Sequence, residues 1–142
     1  MKFPPFLSFP GRRKAPDHLT LGVWGEKRAE KMLRRKGVKI LGRRVRVGRH
    51  DELDLIARDG DMLVVVEVKT RSREGLELPR KSVTYEKQRR LSRAAVRYAR
   101  RLRPKPAGIR FDIVEVIGTP GRVPPKIRHL PGAFGLHSDF RL

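Results

Sequence analysis

The apolar positions of the chain change period several times, and each change marks an element. Between residues 20 and 36, Ala29 and Leu33 recur at helical spacing, with Thr20 placed as an N-cap and Gly37 just past the end, so a helix is predicted. At 100° per residue Glu26 falls on the same face, a carboxylate among positions that should meet the core. Val38, Ile40, Val45 and Val47 then alternate with polar residues around Gly42, which predicts a half-exposed strand or hairpin ended by Gly48. A second alternating stretch, Glu52-Leu53-Asp54-Leu55-Ile56-Ala57, leads through Arg58-Asp59-Gly60-Asp61 into Met62-Leu63-Val64-Val65-Val66-Glu67-Val68-Lys69. The uninterrupted apolar run in that last segment predicts a central strand buried on both faces, with helices covering both sides.

Residues 70–81 are charged and aperiodic and read as a loop bordering whatever the protein binds. Leu91, Ala95, Tyr98 and Leu102 recur at helical spacing within 84–103, until Pro104 and Pro106 end the pattern, and the opposite face is crowded with arginine. A further strand is predicted over 109–117, carrying Asp112 and Glu115. The whole reads as one α/β domain over 18–118, preceded by a basic, proline-rich arm (1–17) and followed by a Gly- and Pro-rich tail (119–142) that should hold only short structure.

Turn chemistry decides what the two middle strands bring together. A two-residue loop at Gly60-Asp61, or a four-residue loop over 59–62, makes Asp54 and Glu67 direct cross-strand neighbours. A loop at Asp59-Gly60 leaves them on one face, a step out of line, and a three-residue loop separates them. Lys69 shares the face of Glu67 through period two.

Taken singly, Asp54 reads as a solvated strand residue and Glu67-Val68-Lys69 as an exposed ion pair. Together, on a largely buried face, two neighbouring carboxylates would be driven toward protonation unless a cation neutralised them. Oxygen-only ligands favour Mg2+ or Mn2+ over zinc, and Mg2+ is commonly held by one or two carboxylates plus a substrate phosphate. Lys69 beside such an ion would orient an activated water or stabilise the charge that develops as a phosphodiester is attacked. The four histidines, His18, His50, His129 and His137, lack both close helical spacing and cysteine partners, so a zinc site is not expected and most should lie at the surface.

Charge narrows the partner. The 142 residues carry 35 Lys and Arg against 15 Asp and Glu, a net charge of +20, which draws in polyanions, nucleic acid first. Arg71, Arg73, Arg80, Lys81 and the arginines between 89 and 103 surround the acidic positions in sequence and suit phosphate contacts. Aromatic residues make up only 6% of the chain, so stacking platforms for single strands are not evident and structure-selective or nonspecific binding is expected. The absence of cysteine excludes disulfide frameworks and thiolate chemistry. No apolar run approaches the ~20 residues of a bilayer span, and the prolines among 1–10 argue against a signal peptide. A cytoplasmic protein is the expectation.

Gly25-Glu26, Glu52-Leu53-Asp54-Leu55-Ile56, Val66-Glu67-Val68-Lys69-Thr70-Arg71, Lys87-Gln88 with Tyr98, and Arg110-Phe111-Asp112 resemble, in order, the YraN-like family of small bacterial proteins. Their pattern is similar to the restriction-endonuclease-like, PD-(D/E)XK nucleases, including Holliday-junction resolvases and RecB-type nuclease domains, and covers about residues 20–117. The resemblance implies a restriction-endonuclease-like core of helix, three strands, helix and strand around a mixed central sheet. It implies Asp54 and Glu67 as metal ligands with the Val68 carbonyl as a third, Lys69 as catalytic and Glu26 as an accessory acid. Lys87 and Gln88, with Arg71, Arg73 and Arg90 nearby, would approach the nucleic acid, and by analogy with resolvases the protein would be a homodimer. Where the family usually has glycine before the Glu-x-Asp element, this chain has Asp51.

The reading that follows is a Mg2+- or Mn2+-dependent nuclease acting on DNA, an endonuclease in the first instance. Its rival is a nucleic-acid-binding accessory protein that keeps the scaffold without turnover, and a third reading is an interaction protein whose basic faces meet an acidic partner.

Overall fold

The computed structural model describes residues 18–75 and 82–142. The proline-rich arm (1–17), and Arg80 and Lys81 of the charged loop, lie outside the described residues. The elements are α1 (His18–Arg35), β1 (Lys39–Val47), β2 (Asp51–Asp59), β3 (Met62–Arg71), α2 (Tyr85–Ala99), β4 (Gly108–Ile117) and β5 (Lys126–Phe134). The strands form one mixed sheet in the order β1-β2-β3-β4-β5, with β3 and β4 parallel and every other pair antiparallel. This is the expected α/β class with the expected helix, three-strand, helix and strand succession.

The long apolar strand is central for the reason its sequence suggests. Leu63 and Val65 face one way, into a core with Leu91, Ala94, Ala95 and Ala99 of α2 and Phe111 and Ile113 of β4. Val64 and Val66 face the other way, against Ala29 and Leu33 of α1 and Val114 and Val116 of β4. One helix therefore covers each face, and a parallel β3–β4 pair needs such a crossover helix between its strands. Tyr98 and Leu102 pack at the margin of the α2 layer.

The helix ends differ from the sequence reading. α1 begins at His18, so Thr20 is inside the helix, whereas Gly37 adopts the left-handed conformation (φ 83°) expected after its end. α2 starts after Thr84, whose hydroxyl accepts from the Lys87 N–H, and stops at Ala99, short of Pro104. The 100–102 segment tightens, the N–H groups of Arg101 and Leu102 donating three residues back to Tyr98 and Ala99, because residues ahead of a proline disfavour the helical region.

The tail is the larger correction. Expected to hold only short structure, it contains the nine-residue β5, paired with β4 from Ile117↔Lys126 to Phe111↔Phe134. Gly132 (φ 60°) and Pro131 interrupt the sequence pattern, and a register shift between Phe111 and Ile113 absorbs them. Of the four histidines, most of them expected at the surface, two have buried side chains: that of His129 on β5 is 8% exposed and that of His137, just past the strand, is 5%.

Asp112 ties β5 to the sheet. Its fully buried carboxylate accepts from Arg110 (2.9 and 3.1 Å), His129 Nε2 (2.8 Å) and the Gly132 N–H (3.0 Å). Burial alone would raise its pKa, but the Arg110 guanidinium, the Gly132 N–H and His129 together hold it below the usual 3.8. An acid with a depressed folded-state pKa contributes stability that is complete above its unfolded value and is lost as the pH falls through the folded one. Asp112→Ala should cost about 3–5 kcal/mol near neutrality, because it leaves His129 Nε2 and the Gly132 N–H without this acceptor and Arg110 with Asp59 alone. In urea titrations the wild-type advantage should shrink as the pH is lowered below about 4.

Candidate active site at a strand fork

β2 and β3 separate partway along their length. Their ladder runs from Asp59↔Met62 to Leu55↔Val66 and stops there, which fixes Gly60-Asp61 as the two-residue turn. Continued by one step, that register sets Asp54 against Glu67. Beyond this point β2 stays with β1 as far as Val47↔Asp51, and β3 stays with β4 as far as Arg71↔Ile117, so the sheet opens into a fork with the two acids at its apex.

The fork is built by a rotation of β2. Leu53 and Leu55, two apart, should share a face, yet Leu53 packs in the α2 layer and Leu55 in the α1 layer. Asp54 is the residue between them. Arg44, between the partners of those two leucines on β1, has φ 46°, the matching adjustment on the neighbouring strand. The Asp54 carboxylate then substitutes for the lost ladder, accepting from the Val68 N–H at 2.9 Å.

Charge is concentrated at this apex. Glu67 is buried and receives Lys87 of α2 as a short ion pair, with the Lys69 ammonium 3.5 Å away on its own strand. Burial, then the charge of Glu67, pushes Asp54 up to about 7, with Glu26 adding to the rise while the Val68 N–H and Lys87 oppose it. Glu26 approaches from α1 and is held by Arg44 at 2.8 Å. Its placement depends on Gly25, where a methyl group would overlap the Thr70 hydroxyl of β3, so only glycine lets α1 lie this close to the strand.

The predicted residues thus divide into two groups. Glu26, Asp54, Glu67, Lys69 and Lys87 come together, and Val68 belongs to the same apex through its amide. Gln88 turns its side-chain amide back to the Val83 carbonyl (3.1 Å) and supports the start of α2. Arg71 lies 3.8 Å from Glu115, whereas Arg73 and Arg90 are exposed. Arg90 and Lys87 border a cleft of about 230 Å³ between α2 and the start of β2, which also involves His50, Glu52 and Leu53. Among the described residues no three His, Asp or Glu side chains form a ready-made metal cage.

Sequence reasoning missed Arg44 and counted Arg93 among the phosphate-contacting arginines. Arg44 was one of many arginines, and only the fold aims it at Glu26. Arg93 of α2 grips Asp51 with two hydrogen bonds (3.0 and 3.1 Å), which gives the acid standing at the usual glycine position a structural role.

Fold and site together define an α/β chain with a buried and a half-buried carboxylate at a sheet fork, the buried one flanked by two lysines. Residues 25–116 match the model of the family described as "Uncharacterised protein family UPF0102", and the chain belongs to that family. A UPF0102 protein of Symbiobacterium thermophilum is 45% identical over 115 residues, covering 80% of this chain and 95% of that protein. Another, of Rhodococcus opacus, is 41% identical over 117 residues, covering 82% of this chain and 98% of its own length. A third, of Streptomyces coelicolor, is 42% identical over 113 residues, covering 79% and 86%.

The raised pKa of Asp54 has a measurable consequence in metal-free solution. Between the ordinary 3.8 and about 7 the folded chain retains a proton that the unfolded chain has lost, so this group lowers stability as the pH rises through that window. Asp54→Asn keeps an acceptor for Val68 and removes the penalty. In chelator-treated urea titrations it should be more stable than wild type by about 1–3 kcal/mol at pH 8, the gap closing toward pH 4.

Proposed function

We propose that the protein is a divalent-metal-dependent nuclease of the restriction-endonuclease-like, PD-(D/E)XK class, hydrolysing phosphodiester bonds in DNA as an endonuclease. The observation that carries this reading is the Asp54–Glu67 pair at the fork: Glu67 is buried between two lysines, and Asp54 is half-buried and disfavoured in its charged form by burial and by Glu67. The donor set fits a hard cation. Its ligands would all be oxygens, from Asp54 and Glu67 with the Val68 carbonyl as a third, and two carboxylates suffice for Mg2+ or Mn2+ when phosphate and water complete the shell. A cation there supplies Lewis-acid polarisation of the phosphate and makes water a better nucleophile.

The chain's own residues supply the rest. Lys69, three-quarters buried beside Glu67, holds a fixed ammonium where negative charge grows on the phosphoryl oxygens. Lys87 neutralises Glu67 and would be free to meet a backbone phosphate where a bound cation took over that role. Glu26, kept in place by Arg44, is the accessory acid at the α1 side of the apex. The net charge of +20, with Arg73 and Arg90 exposed near the fork, gives sequence-independent affinity for the substrate backbone.

One observation favours the rival, a nucleic-acid-binding accessory protein without turnover: Glu67 and Glu26 already have internal basic partners, Lys87 and Arg44. The two readings separate on one set of proteins. With branched, nicked, single- and double-stranded DNA in Mg2+ or Mn2+, the nuclease reading expects cleavage that falls by about 100-fold or more in Asp54→Ala, Glu67→Ala and Lys69→Ala. Equal residual cleavage by wild type and Asp54→Ala overturns it. Salt-dependent binding that is unchanged in the alanine variants, without cleavage, supports the accessory protein.

A further inference from the structure

We propose that Tyr85, at the first turn of α2, is a stacking platform for an unpaired nucleobase that lies across α2 from the fork. The substrate would then be nucleic acid with a single-stranded stretch flanking the point of attack. The inference rests on the nuclease reading of the fork and adds the class of substrate.

Tyr85 is 68% exposed, and among the described residues only Tyr85 and Val123 are large apolar side chains so open to solvent. Its ring does not stand alone. It lies on His137, centroids 4.6 Å apart and planes at 57°, and Phe140 meets the same imidazole at 6.3 Å. The Arg89 guanidinium lies 5.7 Å over Phe140 and pairs with Asp139 at 3.0 Å. Three aromatic rings and a guanidinium plane from distant parts of the sequence thus meet at one end of α2, a platform that the 6% aromatic content did not reveal.

The platform is anchored from below. The His137 N–H donates to the buried Ser92 hydroxyl at 3.0 Å, and its Nδ1 accepts from the Asp139 N–H at 3.2 Å. The neutral imidazole therefore carries its proton on Nε2, which is buried and has no partner among the described residues. An unpaired buried donor works against stability. Its retention beneath an exposed ring fits a cluster kept for binding. A rigid aromatic face accepts any base, and stacking between it and a base is largely independent of sequence.

Position completes the argument. Tyr85 and Lys87 leave the same turn of α2, and Lys87 reaches Glu67 at the fork. The two side chains leave the helix about 200° apart, so a strand with a phosphate at the fork crosses the width of α2, on the order of 10 Å, before one of its bases reaches the ring. Arg89 and Arg90, on the next turn, lie beside the same path.

The test is binding in chelator, where cleavage does not interfere. Wild type, Tyr85→Phe and Tyr85→Leu are titrated with a single-stranded oligonucleotide containing 2-aminopurine and with a duplex of equal length. Each variant's fold is checked by circular dichroism. Tyr85→Leu should bind the single strand roughly 5- to 100-fold more weakly and lose the 2-aminopurine quenching, while duplex affinity changes less than about 2-fold and Tyr85→Phe resembles wild type. Equal single-strand binding by Tyr85→Leu, or an equal loss for strand and duplex, overturns the platform. Loss of Asp54-dependent cleavage as a finding, with stacking intact, removes the nuclease reading and leaves the base site standing. Absence of any nucleic-acid binding by wild type removes both.

Discussion

Two acidic side chains are forced together where a sheet loses its ladder, and the rest of the molecule is arranged around that conflict. Asp54 and Glu67 sit at the last point where β2 and β3 can share hydrogen bonds. Burial and the charge of Glu67 both disfavour the charged form of Asp54, so the fold has to bring positive charge to the apex. It does so from three directions: Lys69 along β3, Lys87 from α2, and Arg44 from β1 by way of Glu26. A site neutralised by displaceable ammonium groups is suited to exchange them for a harder cation and a phosphate.

Both helices are docked by contacts that serve this apex. α1 approaches β3 closely because Gly25 presents no side chain to Thr70, and that approach carries Glu26 inward. α2 is tied to β2 by Arg93 and Asp51, three residues before Asp54, and begins at the Thr84 cap one turn from Lys87. Remote from the fork, Asp112 closes β5 onto β4 with Arg110, His129 and Gly132. Charge in the interior therefore differs at two places: fully partnered at Asp112 it fixes topology, and at Asp54 it is only partly offset, which is what the proposed cation site requires.

Much of this was legible in the residues because it rests on periodicity. The 62–66 run announced a central strand, the two-residue turn set the register, and period two placed Lys69 beside Glu67. Glu26 stood out because a helical face otherwise made of Ala29 and Leu33 had no reason to include it. What stayed hidden depends on distant pairings. Pro131 and Gly132 masked β5, whose register is set by Asp112 and a bulge rather than by its own alternation. Arg44 was indistinguishable from its many neighbours until the chain adopted φ 46° there. Gln88 carried a site expectation, but its amide is spent on Val83. The aromatic cluster at Tyr85 draws on residues more than fifty positions apart, beyond the reach of any local pattern.

The central claim is that the apex of the fork is a divalent-cation site. Anomalous diffraction from crystals soaked in Mn2+ tests it most directly. The account predicts a single strong peak within coordination distance of both the Asp54 and Glu67 carboxylates, with Lys87 withdrawn from Glu67 and the peak abolished in Asp54→Asn. Crystals saturated with Mn2+ that show no density there, with Lys87 still paired to Glu67, would contradict it.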